Sequence, residues 1–158
     1  MSNKGYRQSY RIYRARKTND GVASQFDFNP DSKFLFLEMA KQTDQHDDKG
    51  NALFDWKNKI SFKLGVNDIG EILCVLSGKK TGLGTLKDGK YQGLYHKNES
   101  GDAILYFDKS EHNKAYYMKL SVRRSGEKKQ LSQLISDAEG IILSILLRCI
   151  IEAKYDWV

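Results

Sequence analysis

The spacing of apolar positions changes along this chain, and each change marks an element. Across residues 8–17 (QSYRIYRARK) tyrosine and isoleucine alternate with arginine and lysine, a period of two that predicts a strand. Asn19-Asp20-Gly21 is a turn signal, and Ser24–Phe28 reads as a second, short strand. Pro30-Asp31-Ser32 breaks the pattern before a third strand over Lys33–Lys41 (KFLFLEMAK), whose continuous apolar run predicts cover on both faces. Gln42–Asn51 is polar and acidic, as expected of a hairpin loop. Leu53–Leu64 (LFDWKNKISFKL) then returns as one long strand. Its Ile60, Phe62 and Leu64 share one face, and Lys59, Ser61 and Lys63 the other.

The period then lengthens. Asn67 reads as a helix N-cap with Asp68 and Glu71 in the first turn, where the helix dipole favours acids. Ile69, Ile72, Leu73 and Leu76 form the apolar stripe, which stops at Ser77-Gly78. Lys79–Lys90 is rich in glycine and lysine and reads as a flexible segment. Its Gly82-Leu83-Gly84 lacks the Gly-Lys-Ser/Thr of a phosphate-binding loop. Tyr91–His96, Ala103–Lys109 and Ala115–Arg123 predict a three-stranded meander. Lys128–Tyr155 reads as a long helix or a broken pair of helices. Between Gly140 and Ile151 it is apolar all round, so it needs burial, most simply against a second subunit. Strands in runs, not alternating with helices, indicate an α+β domain with antiparallel sheets.

Length and composition narrow the picture. The 158 residues, 40% of them hydrophobic, fit a single domain over 1–158 with a core of its own. Residues 1–8 read as a basic arm. Lysine and arginine exceed aspartate and glutamate by 26 to 20. The excess is modest, but every charged residue before Asp20 is basic, which makes the opening a candidate footprint for a polyanion. Cys74 and Cys149 lie in apolar runs and are expected to be reduced core thiols. The first residues are polar and basic and resemble no signal peptide. No apolar run reaches membrane-spanning length, so no membrane partner and a cytoplasmic location are expected.

Three groups of residues carry candidate chemistry. Binding an unpaired strand requires cations for phosphates and aromatic faces for bases. The first strand supplies both in alternation, through Arg11, Tyr13, Arg14, Arg16 and Lys17. The second group is Trp56 with Lys57, Lys59 and Lys63. The third is Tyr95, Lys97, Tyr117, Lys119 and Arg123 on the meander. Each group also has a plain reading, as a solubilised edge strand or half-buried strand aromatics. Catalysis finds no support. His46, His96 and His112 have no partner fixed by spacing and are expected at the surface, no nucleophile or zinc motif is present, and no catalytic residue, metal or cofactor is assigned.

The stretch Phe54-Asp55-Trp56-Lys57-Asn58-Lys59-Ile60-Ser61-Phe62, followed by Gly65-Val66-Asn67-Asp68-Ile69-Gly70-Glu71-Ile72, resembles the Whirly family. That family carries an aromatic-Asp-Trp and a basic residue, then a strand, then a Val-polar-acid-Ile-Gly helix start. The surrounding order of elements agrees over most of the chain. The resemblance implies two antiparallel four-stranded sheets packed crosswise, each followed by a helix. It further implies a homo-oligomer, a tetramer joined through its helices, that binds single-stranded DNA or, in trypanosome relatives, guide RNA. The family's Lys-Gly-Lys-Ala-Ala-Leu motif is not kept at Arg11–Ala15, so the higher assembly ascribed to it does not carry over. The expected function is non-catalytic, largely sequence-independent binding of single-stranded DNA in replication, recombination or repair. RNA binding or annealing on the same fold, and a protein–protein scaffold, are the alternatives. The closing Tyr155-Asp156-Trp157-Val158 is a candidate site for a protein partner.

Overall fold

The computed structural model describes residues 8–112 and 115–157, so all but Gln8 of the expected basic arm lies outside the described residues. The first sheet contains β1 (Gln8–Arg14), β2 (Val22–Asn29), β3 (Phe34–His46) and β5 (Ile60–Leu64), in that order and antiparallel throughout. The short β4 (Ala52–Phe54) pairs with the far half of β3, on the same edge as β5. The long strand expected over Leu53–Leu64 is therefore two strands. A 3-10 turn, Trp56–Asn58, separates them, because the Asp55 carboxylate accepts from the Asn58 backbone and side chain and bends the chain there. The loop expected over Gln42–Asn51 shrinks in the same way, because β3 runs on to His46 and the turn closes around Asp47.

Helix α1 (Val66–Leu76) follows. Its N-cap is Gly65, two residues before the expected Asn67, and the Asp68 carboxylate accepts from the Gly65 amide at 2.8 Å. The segment expected to be flexible is anchored instead. Leu83 is fully buried, and β6 (Leu86–Lys87) and β7 (Lys90–Tyr91) make a small hairpin. The second sheet runs β8 (Leu94–Asn98), β9 (Gly101–Ser110), β10 (Ala115–Arg124), β11 (Glu127–Ser136), again antiparallel. Helix α2 is Asp137–Tyr155, so the helix expected from Lys128 begins nine residues later. Leu131, Leu134 and Ile135 fit a helical stripe, while Leu131 and Ile135 also fit one face of a strand. The pairing of β11 along the whole of β10 selects the strand, with Leu131, Gln133 and Ile135 inward.

Each sheet turns one face inward. Ile12, Phe26, Leu37 and Phe62 of the first meet Leu105, Phe107, Leu120 and Ile135 of the second in one core. Strand β11 touches β1, β2 and β3, so the sheets cross instead of running in parallel. Each large apolar side chain buried there contributes roughly 1.5–3 kcal/mol. One polar side chain sits inside this layer. Gln133 donates from Nε2 to the carbonyls of Ile12 (2.8 Å) and Val22 (2.9 Å), and its Oε1 accepts from the Ser24 hydroxyl at 2.5 Å. It ties the second sheet to two strands of the first.

Helix α2 buries Gly140, Leu143, Leu147 and Ile150 against the sheets and α1. A Cβ on Gly140 would lie 2.8 Å from the Tyr116 ring, so glycine permits the close approach of helix to strand. The opposite face stays apolar and open: Ile141, Ile142 and Ile145 are 64%, 48% and 58% exposed, and Cys149 is exposed beside them. Cys149 is thus not the core thiol expected, and Cys74 is only partly buried. Among the described residues no helix is long and apolar enough to cross a membrane.

The start of α2 is pinned electrostatically. The Ser136 hydroxyl caps the Glu139 amide, and Glu139 answers to the Ser136 amide and pairs with Arg14. Burial pushes the Glu139 carboxyl up, but these hydrogen bonds and the Arg14 charge leave it below its ordinary value of 4.5. A depressed carboxylate stabilises the fold above its unfolded pKa, and that stability is lost as pH falls through the folded pKa. Wild type should therefore lose more stability than Glu139→Gln on acidification below about pH 4.5, measured by urea midpoints at several pH values. Parallel curves would contradict the assignment. Replacing Gln133 with alanine leaves two buried carbonyls without their side-chain donor. It should cost about 2–3 kcal/mol in chemical denaturation, and a loss below about 0.5 kcal/mol would show the clamp to be dispensable.

Candidate nucleic-acid interface

The outward faces of the sheets hold what the core does not use. On the first sheet the register places Arg11, Gln25, Glu38 and Ser61 in one row across four strands. The next row is Ser9, Asp27, Phe36 and Lys63, and on the other side lie Tyr13, Ala23 and Ala40. The two alanines leave the floor low, while Tyr13, at 48% exposure, stands above it. The Asp55-capped turn brings Trp56 over this floor, with the Arg11 guanidinium 5.4 Å from the indole centre. The result is a groove of about 450 Å³ between Trp56, Phe36, Arg11 and Lys59. Trp56 also forms a wall of a neighbouring, more apolar recess of about 520 Å³ with Tyr13, Leu53 and Phe54. Tyr13 and Phe54 pack at 5.5 Å, centre to centre.

The cations of this face are held by partners. Arg11 donates to the Gln25 side chain and to the Tyr13 hydroxyl, and Lys59 pairs with Glu38. Lys63 lies 3.4 Å from the centre of the Phe34 ring. These contacts orient the side chains while leaving donors unused, since a guanidinium carries five N–H groups and an ammonium three. Lys57 is exposed on the turn beside Trp56. Arg16 and Lys17 lie beyond β1 in a loop that Gln42 closes, accepting from the Arg16 and Gly21 amides and donating to the Arg16 carbonyl. Gly21 has no room for a Cβ, which would meet the Arg14 carbonyl at 2.0 Å. Arg14 belongs to the inward phase of β1 and is committed to Glu139, away from the groove.

The second sheet presents its own face. Tyr95, Ile104, Tyr106, Lys119, Arg123 and Lys128 surround a depression of about 240 Å³. Lys119 sits 4.5 Å from the Tyr106 ring centre. Desolvation and a hydrogen bond to Asp102 raise the Tyr95 phenol above its ordinary pKa. Burial raises the Asp108 carboxyl, against the opposing pull of Lys119. Tyr117 shares this face through its pairing with Asp108, and Lys97 through its pairing with Asp102.

Because the sheets meet by their inner faces, these two surfaces point away from each other. The residues singled out in the sequence thus divide. Arg11, Tyr13, Trp56, Lys59 and Lys63 share one face, Tyr95, Lys97, Tyr117, Lys119 and Arg123 the other. Phe34, Phe36, Gln25 and Glu38 complete the first face and were not singled out. The alternation of Phe34, Phe36 and Glu38 within KFLFLEMAK carried the signal, hidden by the apolar residues of the inward phase, whereas Gln25 stands on β2 and joins them only through strand pairing. Lys128 was obscured by the helical reading of its segment. His96 is not the plain surface residue expected. It stacks on Phe62 at 4.2 Å, with Nε2 3.1 Å from the Asp68 carboxylate, whereas His46 and His112 are exposed. Among the described residues no cluster of three His, Cys, Asp or Glu side chains could hold a metal ion.

No family model matches the sequence, and no curated protein matches it significantly. Solved structures do match. WHY1 from Arabidopsis thaliana aligns with a TM-score of 0.72 at 18% identity, over 96% of this chain and 87% of its own. Trypanosoma MRP1/MRP2 aligns with a TM-score of 0.71 at 12% identity, over 97% and 89%. A guide-RNA-binding protein complex bound to a guide RNA aligns with a TM-score of 0.67 at 12% identity, over 98% and 96%. At these identities the likeness speaks for the fold alone, and with two crossed antiparallel sheets each followed by a helix, this chain has the Whirly fold.

Proposed function

We propose that this protein is a non-catalytic, largely sequence-independent binder of single-stranded DNA, acting in replication, recombination or repair within the cytoplasm. The observation that carries the reading is the groove under Trp56. Within it an indole and a phenylalanine offer faces for bases, with Arg11 and Lys59 at hand for phosphates, and the same sheet face adds Tyr13 in the adjoining recess and Lys63 beside Phe36. The faces are open and shallow, as an extended strand requires. The structural likeness to a complex described as binding guide RNA supports RNA as a second ligand. Aromatic stacking serves both nucleic acids, because every base has a π-face.

Assembly is the second part of the proposal. Ala138, Ile142, Ile145 and Cys149 recur at spacings of four, three and four on the exposed face of α2. An open apolar stripe of this kind marks an interface. We assign it to a homo-oligomer, a tetramer joined through the helices. The stacked Tyr155 and Trp157, the latter 70% exposed, offer a contact for a separate protein partner.

Fluorescence anisotropy with labelled oligo-dT tests the binding. If about four phosphates are contacted, affinity should fall about 50-fold between roughly 50 and 200 mM salt, and duplex DNA should compete poorly. Trp56→Ala should weaken binding about tenfold with the melting temperature unchanged, because the 3-10 turn contains no buried residue. Salt-independent binding, or a variant that unfolds, would refute this use of the groove. Matched RNA in the competition ranks the two ligands. For the assembly, light scattering should show an oligomer that Ile145→Glu converts to a folded monomer; a monomeric wild type would remove the interface.

A further inference from the structure

A groove for a polyanion has no electrostatic need of acids, yet the floor of this one holds two buried carboxylates, Asp27 and Glu38. Glu38 lines the same groove as Trp56, in the row Arg11–Gln25–Glu38–Ser61. We infer that this row reads the edge of one base stacked on Trp56, and that Glu38 makes the groove prefer guanine at that position. The inference rests on the single-strand reading above and adds one selective position to a site that is otherwise tolerant of sequence.

Three observations support it. First, the groove, at about 450 Å³, lies within the range of small-molecule sites, roughly 300–1,000 Å³. It is walled by Trp56 and Phe36, which are stacking surfaces. Second, Glu38 is oriented but not saturated. One oxygen accepts from the Gln25 amide at 3.4 Å and the other pairs with Lys59. A carboxylate has about four acceptor sites, so each oxygen retains one. Third, the neighbours fix the chemistry. Arg11 holds the Gln25 carbonyl oxygen, which turns the amide nitrogen toward Glu38. The floor therefore offers acceptors on Glu38 and a hydroxyl on Ser61.

Base edges differ in what they bring to such a floor. Guanine carries two adjacent donors, the N1–H and the 2-amino group, which match the two oxygens of one carboxylate. Thymine and uracil carry one N–H flanked by two carbonyl oxygens, which a carboxylate repels. Adenine and cytosine carry an amino group beside a ring-nitrogen acceptor, so one donor is met and one lone pair opposed. The same edge is present in DNA and RNA, so the preference is expected with either sugar.

The test uses labelled oligo-dT of about 12 nucleotides, within the usual single-strand site size, with the central base changed to guanine, inosine, adenine or cytosine. Wild-type protein should bind the guanine oligonucleotide about five- to tenfold more tightly than the all-thymine one. Inosine, which lacks the 2-amino group, should lose most of that gain. Glu38→Gln, which replaces one acceptor oxygen by a donor, should bring guanine and thymine to within about twofold. The comparison of ligands on wild-type protein needs no variant and so survives any misfolding of Glu38→Gln. Salt-sensitive binding with no guanine advantage would overturn the inference while leaving the single-strand reading intact, and Glu38 would then serve only to hold Lys59. A guanine advantage retained in folded Glu38→Gln would overturn the role of Glu38. Absence of binding to every oligonucleotide would sink both readings.

Discussion

A β-sheet has two faces, and both sheets of this protein turn one of them to a shared core. That single constraint organises the rest of the molecule. Side chains alternate across a strand, so whatever the inward phase requires leaves the outward phase free for other chemistry. In β1 the inward phase is Tyr10, Ile12 and Arg14, and the outward phase Ser9, Arg11 and Tyr13. In β3 the inward Leu35, Leu37 and Met39 alternate with outward Phe34, Phe36 and Glu38. The Gln133 clamp matters for the same reason. It locks the register between sheets, and a slip of one residue would exchange core and surface along a whole strand.

Partner side chains give the outward face of the first sheet its order. Long cationic side chains lose about 2 kcal/mol of rotamer freedom when held, and an exposed lysine has little reason to wait in one place. Here Glu38 holds Lys59, Gln25 holds Arg11, and the Phe34 ring holds Lys63. The cost of ordering is met on folding, before any ligand arrives. The Glu38–Lys59 pair also lowers the net field, so the attraction for phosphate proposed above would depend on where the cations stand more than on the overall charge of +6.

How much of this was legible in the sequence follows from the same alternation. The class of fold, the antiparallel strands and α1 were visible because their apolar positions repeat at one period without a competitor. Trp56 and Arg11 were visible because they stand in short segments of unusual composition. Two kinds of feature were not. Leu131 and Ile135 satisfy both periods, Leu134 only the helical one, and pairing with β10 decides between them. The floor residues Gln25 and Glu38 lie thirteen positions apart and are ordinary singly. They become a row only through strand register, which is a property of the pairing and not of either strand. Arg14 shows the reverse error, since its place among basic residues gave no sign that the inward phase would send it to Glu139.

The exposed stripe of α2 bears on affinity as well as assembly. It lies on the side of the helix turned away from the sheets and α1, so joining copies there leaves the outward face of either sheet uncovered by that contact. Each face alone offers a few stacking surfaces and cations that are already partnered, which makes for a modest site. In the proposed assembly, copies held together would convert later contacts along one strand into intramolecular ones, at effective concentrations of the order of millimolar. On the function and assembly proposed above, weak, shallow, sequence-tolerant faces would then suffice for tight coating of long strands, while short ones would dissociate. A single base-reading position per copy would not spoil that tolerance. It would instead bias the frame in which the strand settles, since the register that places guanine under Trp56 in several copies gains from each of them.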